Sequence, residues 1–137
     1  MTSDDAARRI AGECLAMRSR RVARTVTRLY DDALRPLGIG AAQLGLLVVI
    51  QRRAPVSPAD IGRTLELEKS TLSRNLQRLR AARLIDERQD GRGKQLTLTP
   101  AGRRRLDDAY PLWRGAQRSA LAALGEPLAA ALSSQTP

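Results

Sequence analysis

The stretch from Lys69 to Arg80, KSTLSRNLQRLR, carries polar side chains that are unusual on the exposed face of a helix. At helical spacing, Leu72, Leu76 and Leu79 form one apolar face. Exposed helix faces normally carry Glu and Lys, which favour helix more than Ser, Thr or Asn do. Short hydroxyls, an amide and arginines are instead the groups that bind phosphates and base edges. The candidates for such contacts are Lys69, Ser70, Thr71, Ser73, Arg74, Asn75 and Arg78.

The charge of the chain favours an acidic partner. The 137 residues carry a formal net charge of +10, and of the 24 basic residues only Lys69 and Lys94 are lysines. The planar guanidinium of arginine suits phosphate, guanine edges and narrow minor grooves better than the point charge of lysine does. Nucleic acid or an anionic membrane would suit this charge. A genome biased towards arginine would also explain the excess of arginine over lysine. For the polar face of the helix at 69–80, the alternative is that it merely faces solvent.

Groups that catalysis or metal binding would need are scarce. The chain has no histidine and one cysteine, Cys14, so it offers neither the commonest general base nor a thiol dyad. No glycine loop that could hold a phosphate is present. We therefore expect no enzyme, no metal site and no cofactor. Three acidic pairs beside arginines are typical of solvated faces: Asp4-Asp5, Asp31-Asp32 and Asp107-Asp108.

Composition predicts one globular domain in the cytoplasm. Apolar residues make up 42% of the chain, which is enough for a core. The opening MTSDDAARR has no apolar signal core behind it, and the apolar run LGLLVVI is too short to cross a bilayer. A single cysteine cannot form an intrachain disulfide.

The first half of the chain reads as two helices. Apolar residues recur every three or four positions from about Ser3 to Leu37, with a break in phase near Arg18–Arg21 that predicts a kink or a weak N-terminal turn. Pro36 and Gly38 end this helix. A second helix, apolar almost all round and therefore buried, is predicted over 41–53.

Two further helices precede a change of period. Ser57-Pro58 is a helix start that leads to Leu65, and the helix quoted above runs from Glu68 or Lys69 to about Arg83. The runs 84–88 and 95–99 then alternate as strands around QDGRGK, whose glycines permit a hairpin.

The last third is helical again. Thr99-Pro100 begins a helix that extends to Leu124, with a kink expected near Asp107 because Pro111 lies inside it. Gly125 ends it, and only a short helix can follow. The fold class is therefore mainly α with a small β-hairpin, in which a helix pair and a hairpin form a winged helix-turn-helix. The second helix of such a pair enters the major groove of double-stranded DNA.

Two sequence motifs in register resemble the MarR family of bacterial transcription regulators. These are ADIGRTLELEKSTLSRNLQRLRAARLI and the wing sequence DGRGKQLTLTPAG, and the resemblance covers Arg18 to Gly125. It implies that Arg92 enters the minor groove and that Asp90 orients it or an arginine of the recognition helix, with Lys94 nearby. A wing that is only structural, or that contacts protein, is the alternative. Glu66 departs from the family pattern, where a glycine is common.

The resemblance also implies a homodimer formed by the N- and C-terminal helices. Residues 39–99 would form the DNA-binding lobe, and 1–38 with 100–137 the helical dimerisation lobe. The final helix is shorter than is usual in the family, so we expect a smaller or differently built interface. Its candidate residues are Leu121, Leu124, Leu128, Leu132 and Trp113, although Trp113 could equally be core.

Signal reception is a further implication of the resemblance. Family members bind small phenolic or carboxylate ligands between the two lobes, or sense peroxide through a cysteine in the first helix. Cys14 lies near that reactive position, and Tyr30 resembles one of the tyrosines that contact the sulfur, whereas Ala41 stands where the second is expected. Simple packing is the alternative for Cys14.

The sequence thus predicts a dimeric repressor that binds a palindromic operator and is released by a ligand or an oxidant. A constitutive architectural protein that binds DNA or RNA is one alternative. A winged-helix module that binds other proteins is another, and it would give Arg74 and Arg92 no role.

Overall fold

The computed structural model describes residues 1–135 as a helical body with one β-hairpin, which confirms the predicted fold class. Its elements, in chain order, are α1 (Ser3–Glu13), α2 (Leu15–Leu34), a 3-10 turn (Arg35–Leu37), α3 (Ala41–Arg53), α4 (Pro58–Leu65), α5 (Lys69–Ala81), β1 (Ile85–Asp90), β2 (Gly93–Leu98), α6 (Pro100–Leu124) and α7 (Glu126–Ser133).

The N-terminal helix breaks earlier than the sequence predicts. The expected kink near Arg18–Arg21 is wrong, because α2 is helical there and the chain leaves helical geometry at Cys14, with ψ of 110°. The Arg18 guanidinium binds the carbonyl oxygen of Gly12, one of the carbonyls that the end of α1 leaves without a helical partner. Arg18 of the following helix therefore stabilises the break.

Asp31 is another departure, since it is not simply a solvated carboxylate. Its Oδ1 accepts a hydrogen bond of 2.8 Å from the backbone N–H of Ala41, at the start of α3. Asp31 is half-buried, while its neighbour Asp32 is exposed and pairs with Arg35. The acidic side chain thus joins α2 to the positive end of α3.

The pair α4–α5 forms the predicted helix-turn-helix. Ser57 begins α4 by accepting a 3.1 Å hydrogen bond from the N–H of Asp60, with Pro58 at the first helical position. Glu66 ends α4 in the left-handed conformation, at φ 51° and ψ 45°. The turn therefore demands a conformation that glycine adopts without strain.

The wing consists of β1, β2 and the turn between them, and its strands are paired over a longer stretch than expected. The strands pair antiparallel from Ile85 opposite Leu98 to Asp90 opposite Gly93, which leaves only Gly91 and Arg92 in the turn. The left-handed φ of 93° at Gly93 lets pairing continue this far. The predicted loop QDGRGK is thus mostly strand.

Helix α6 begins where the wing ends. The Thr99 hydroxyl accepts the N–H of Gly102 at 3.0 Å and donates to the carbonyl of Arg83 at 2.8 Å, so it joins α6 to the end of α5. The helix continues through Pro111 to Leu124 and packs along α2. The core lies between these long helices and the wing, and its fully buried residues are Leu34, Leu46, Leu47, Ile50, Ile61, Leu79, Leu84 and Leu96.

Within residues 1–135, no helix taken singly has the length and apolar character needed to span a bilayer. The segments Leu15–Leu37 and Ala41–Arg53 meet that criterion only together, across a bend of 76°.

Candidate nucleic-acid interface

Helix α5 packs one face on the core and exposes the other. Leu72, Leu76 and Leu79 are 6%, 2% and 1% exposed, as the spacing predicts. Thr71 is half-buried at the edge of this face. The N-terminus of α5 has no side-chain cap, so its first N–H groups are available to an anion such as a phosphate. The polar residues of α5 that are exposed are Lys69, Ser70, Ser73, Arg74, Gln77 and Arg78.

Asn75 does not lie on the exposed face of α5, and its prediction as an exposed side chain is wrong. It is 8% exposed, its Oδ1 accepts from Gln43 and its Nδ2 donates to the carbonyl of Thr71 at 2.9 Å. Both ends of the amide are therefore occupied within the protein. The spacing could have shown this, because position 75 follows Leu72 by three residues and precedes Leu79 by four.

The tip of the wing presents Arg92 to solvent. Asp90 accepts the backbone N–H of Arg92 at 2.7 Å and its guanidinium at 3.1 Å. The bond from the backbone N–H, and after it the guanidinium, holds the pKa of the Asp90 carboxyl below its usual value. Asp90 thus stays ionised and orients the turn, and Arg92 keeps further donors of its guanidinium for another partner.

Glu87 is a residue of this region that sequence reasoning missed. Its carboxylate on β1 pairs with Arg80 of α5 and lies 3.6 Å from the Nζ atom of Lys94 on β2. It therefore fixes the base of the wing against α5. Asp86 and Glu87 look alike in the sequence, and only the strand register places Glu87 towards α5.

A cleft of about 700 Å³ brings together basic residues from three elements. Lys69 lies at the start of α5, Arg92 and Lys94 lie on the wing, and Arg63 comes from α4. Arg63 was not predicted, and it also pairs with Asp60. Four cations around one groove, beside an uncapped helix N-terminus, form a surface suited to a phosphate backbone.

A second cavity, of about 440 Å³, lies between α2, α3, α4 and α6. Tyr30, Ala41, Arg52, Arg53 and Trp113 line it together with apolar residues of α3. The hydroxyl of Tyr30 donates to the side-chain oxygen of Gln117, and burial raises the pKa of this phenol. Aromatic walls with two guanidinium groups at the rim can accommodate a small anionic aromatic molecule.

Cys14 and Tyr30 are not brought together within one chain. Cys14 is half-buried at the break before α2, and Tyr30 lies 16 residues later near the end of that helix. At the helical rise this separates them by about 24 Å. Among residues 1–135, no group of three or more His, Cys, Asp or Glu side chains could hold a metal ion.

Comparisons with known proteins agree with this geometry. A sequence profile of the MarR family matches residues 37–95, whereas curated protein sequences give no match. The crystal structure of the Mycobacterium tuberculosis transcriptional regulator MosR in complex with DNA is 36% identical, covers 83% of this chain and 85% of that chain, and has a TM-score of 0.74.

Two more distant structures share the fold. Bordetella bronchiseptica BpsR, whose DNA binding is regulated by 6-hydroxynicotinic acid, is 21% identical with a TM-score of 0.78, over 88% of this chain and 89% of that chain. A mutant of Escherichia coli MarR complexed with operator DNA is 23% identical with a TM-score of 0.79, over 90% of this chain and 91% of that chain. Fold, interface and sequence profile agree, and this chain belongs to the MarR family of winged helix-turn-helix, DNA-binding transcription regulators.

Proposed function

We propose that this protein is a homodimeric repressor that binds a palindromic operator and is released from it by a small-molecule or oxidant signal. The observation that carries the proposal is the exposed face of α5, where hydroxyls and arginines lie beside a wing with an exposed arginine. In this proposal residues 39–99 are the DNA-binding lobe, and the helices before and after them form the dimerisation lobe.

Exposed apolar residues at both ends of the chain support a second copy as partner. Helix α1 buries none of its residues, and a groove of about 510 Å³ lies between α2 and α7. Exposed apolar residues that line a groove are typical of an interface. Identical copies usually associate about a two-fold axis, so the same helices would cover each other. The residues concerned are Ile10, Leu15, Met17, Leu121, Leu128 and Leu132.

The DNA contacts divide by element. The two α5 helices of a dimer would enter successive major grooves, about 34 Å apart. Arg74 and Arg78 would contact guanine edges or phosphates, and Arg92 would enter the minor groove while Asp90 holds it. The remaining contacts, to phosphates and base edges near the helix start and the wing, are assigned to Lys69, Ser70, Thr71, Ser73 and Lys94.

The cavity between the lobes is the proposed receptor of a small-molecule signal. Its aromatic residues Tyr30 and Trp113 would stack on a ring, and Arg52 or Arg53 would bind a carboxylate. A phenolic or carboxylate ligand has this chemistry, and so does 6-hydroxynicotinic acid, which regulates BpsR. A ligand there would contact α3 and α4 at once and could change the spacing of the two recognition helices.

An oxidant acting on Cys14 is the second candidate signal. Its thiol is half-buried at the break before α2, where peroxide can reach it, and Arg18 follows it by one turn. Oxidation to a sulfenic acid or a mixed disulfide would add polarity at the break between α1 and α2. Tyr30 could assist only from the partner subunit, since it lies about 24 Å away within a chain.

Selection from a random DNA library, followed by fluorescence anisotropy, tests the proposal. The protein should select a palindrome and prefer it to random duplex by about 10³-fold or more. Arg92→Ala should weaken both complexes alike, whereas Arg74→Ala should lose discrimination at one or two base pairs. Binding without sequence preference would favour the architectural alternative, and no binding would favour the protein-interaction module.

Release from the selected palindrome identifies the signal. If the cavity receives it, 6-hydroxynicotinic acid should release the wild type and not the double variant Arg52→Ala/Arg53→Ala. If Cys14 receives it, hydrogen peroxide should release the wild type and not Cys14→Ser. Equal release of wild type and variant in either comparison would contradict the assignment of that site.

A further inference from the structure

Two buried amides join α3 to the inner face of α5. Gln43 and Asn75 are 9% and 8% exposed, and Gln43 Nε2 donates to Asn75 Oδ1 at 2.5 Å. The other buried residues of both helices are apolar and belong to the same core cluster. The pair is therefore a single directional contact within an apolar interface.

The other ends of both amides bind backbone. Asn75 Nδ2 donates to the carbonyl of Thr71, one turn earlier in α5, at 2.9 Å. Gln43 Oε1 accepts the N–H of Gly40, just before α3, at 2.7 Å. Each amide therefore makes two hydrogen bonds, one to the other amide and one to the backbone. Together they connect the backbone of α5 to the start of α3.

The same start of α3 is connected to α2. Asp31 of α2 accepts the N–H of Ala41 at 2.8 Å, beside the Gly40 N–H that Gln43 binds. A Cβ at Gly40 would lie 2.7 Å from Asp31 Oδ1 and 3.2 Å from Gln43 Oε1. The absence of a side chain at Gly40 therefore allows both acceptors to reach this point, and hydrogen bonds lead from α2 through α3 to α5.

Stability alone does not explain a buried amide pair. Replacing both partners of a buried hydrogen bond by apolar groups of similar shape is often neutral. Apolar contacts are not directional, so leucines alone tolerate several rotations of one helix against another. A buried polar contact can specify one register, as the single asparagine in a coiled coil does.

From this geometry we propose that Gln43 and Asn75 are positioning residues, which fix the rotation of the recognition helix and thereby the sequence that it reads. The inference rests on the proposed binding of a specific operator. A side-chain atom on a helix lies about 5–6 Å from its axis, so a rotation of about 15° moves it by roughly 1.5 Å. That displacement breaks a hydrogen bond to a base edge, while phosphate contacts, being longer-ranged, survive it.

The double variant Gln43→Met/Asn75→Leu tests the inference. It replaces both polar side chains by apolar ones of similar shape, since Met is unbranched like Gln and Leu is branched at Cγ like Asn. Gln95→Leu is the matched control, because Gln95 is also 8% exposed but lies on β2. The probes are the palindrome selected by the wild type and a random duplex of the same length, with thermal denaturation measured in parallel.

We expect the double variant to melt about 5–10 °C below the wild type, because the backbone N–H of Gly40 loses the acceptor that Gln43 provides. Its affinity for random duplex should be unchanged within about twofold, and its affinity for the palindrome about tenfold lower or worse. The control should keep the full preference. Equal loss of affinity for the palindrome and for random duplex would overturn the inference, and so would no loss of either affinity. A double variant that does not fold would also overturn it, because the pair would then be required for folding. A wild type that selects no palindrome would instead contradict the proposed function.

Discussion

Gly102 offers a direct test of how α5, the wing and α6 are joined. This glycine is buried in the first turn of α6, and a Cβ built on it would lie 2.1 Å from the carbonyl oxygen of Leu84. The same oxygen accepts the N–H of Thr99 at 3.0 Å. Alanine at position 102 therefore cannot be accommodated unless the backbone at the start of the wing or of α6 moves.

The loss of stability expected for Gly102→Ala follows from the backbone movement that the added Cβ requires. A carbon atom normally approaches a carbonyl oxygen to about 3.3 Å, so Leu84 or α6 must move by more than about 1 Å. Overpacking of this kind costs about 1–3 kcal/mol, and weakening the Thr99 bond adds about 1 kcal/mol. Alanine favours helix over glycine by about 1 kcal/mol in return. The net loss for Gly102→Ala is about 1–3 kcal/mol.

Urea denaturation followed by circular dichroism measures this loss, at one fixed protein concentration because dimerisation would contribute to stability. Gly45→Ala is the matched control, since a Cβ at this helical glycine has no neighbour within 4 Å. It should be stabilised by up to about 1 kcal/mol. If Gly102→Ala is as stable as the wild type, or gains as much as the control, the close approach to Leu84 does not constrain the junction.

Three further substitutions test local features. Arg83→Gly should raise the free energy of unfolding by up to about 1 kcal/mol in the same assay, because Arg83 has a φ of 55°, a left-handed conformation that strains any residue with a Cβ. A decrease would show that the Arg83 side chain stabilises the protein by more than this strain. The hydroxyl of Ser57 holds the pKa of Asp60 below its usual value, so this stabilisation is present above pH 3.8 and is lost as the pH falls through the lower, folded pKa. The stability difference between wild type and Ser57→Ala should therefore narrow in acid, and a constant difference would contradict the coupling. In ultraviolet titration, Tyr30→Phe should remove a phenol whose pKa lies above the ordinary value for tyrosine, because burial raises it; loss of a phenol that ionises at or below that value would contradict the burial of Tyr30.

Features set by neighbouring residues in the chain could be predicted from the sequence. The helix starts at Ser57-Pro58 and Thr99-Pro100 combine a side-chain cap with a proline at the first helical position, and both are where they were expected. The alternation after Leu84 and the glycines near the turn predicted the hairpin. These signals are reliable because the interactions that they describe lie within a few residues.

Features that depend on distant contacts could not be predicted. The partner of Asn75 lies 32 positions away on α3, and nothing near Asn75 indicates an acceptor or donor at that distance. Arg80 and Glu87 are only seven positions apart, but their contact needs the turn between α5 and β1. The break at Cys14 depends on how Arg18 folds back onto Gly12, and the periodicity of apolar residues carries no such information.

Affinity for DNA and specificity for its sequence depend on different parts of this region: the exposed charges and the contact on the buried face of α5. A net charge of +10, with Arg63, Arg92 and Lys94 around one cleft, attracts any duplex, and salt screens this attraction. Discrimination needs hydrogen-bonding atoms placed within a fraction of an ångström, which charge cannot provide. The Gln43–Asn75 contact supplies a directional constraint from inside the protein, where water does not compete. Substitutions on the wing should therefore change how tightly the protein binds DNA, and substitutions behind α5 should change which DNA it binds.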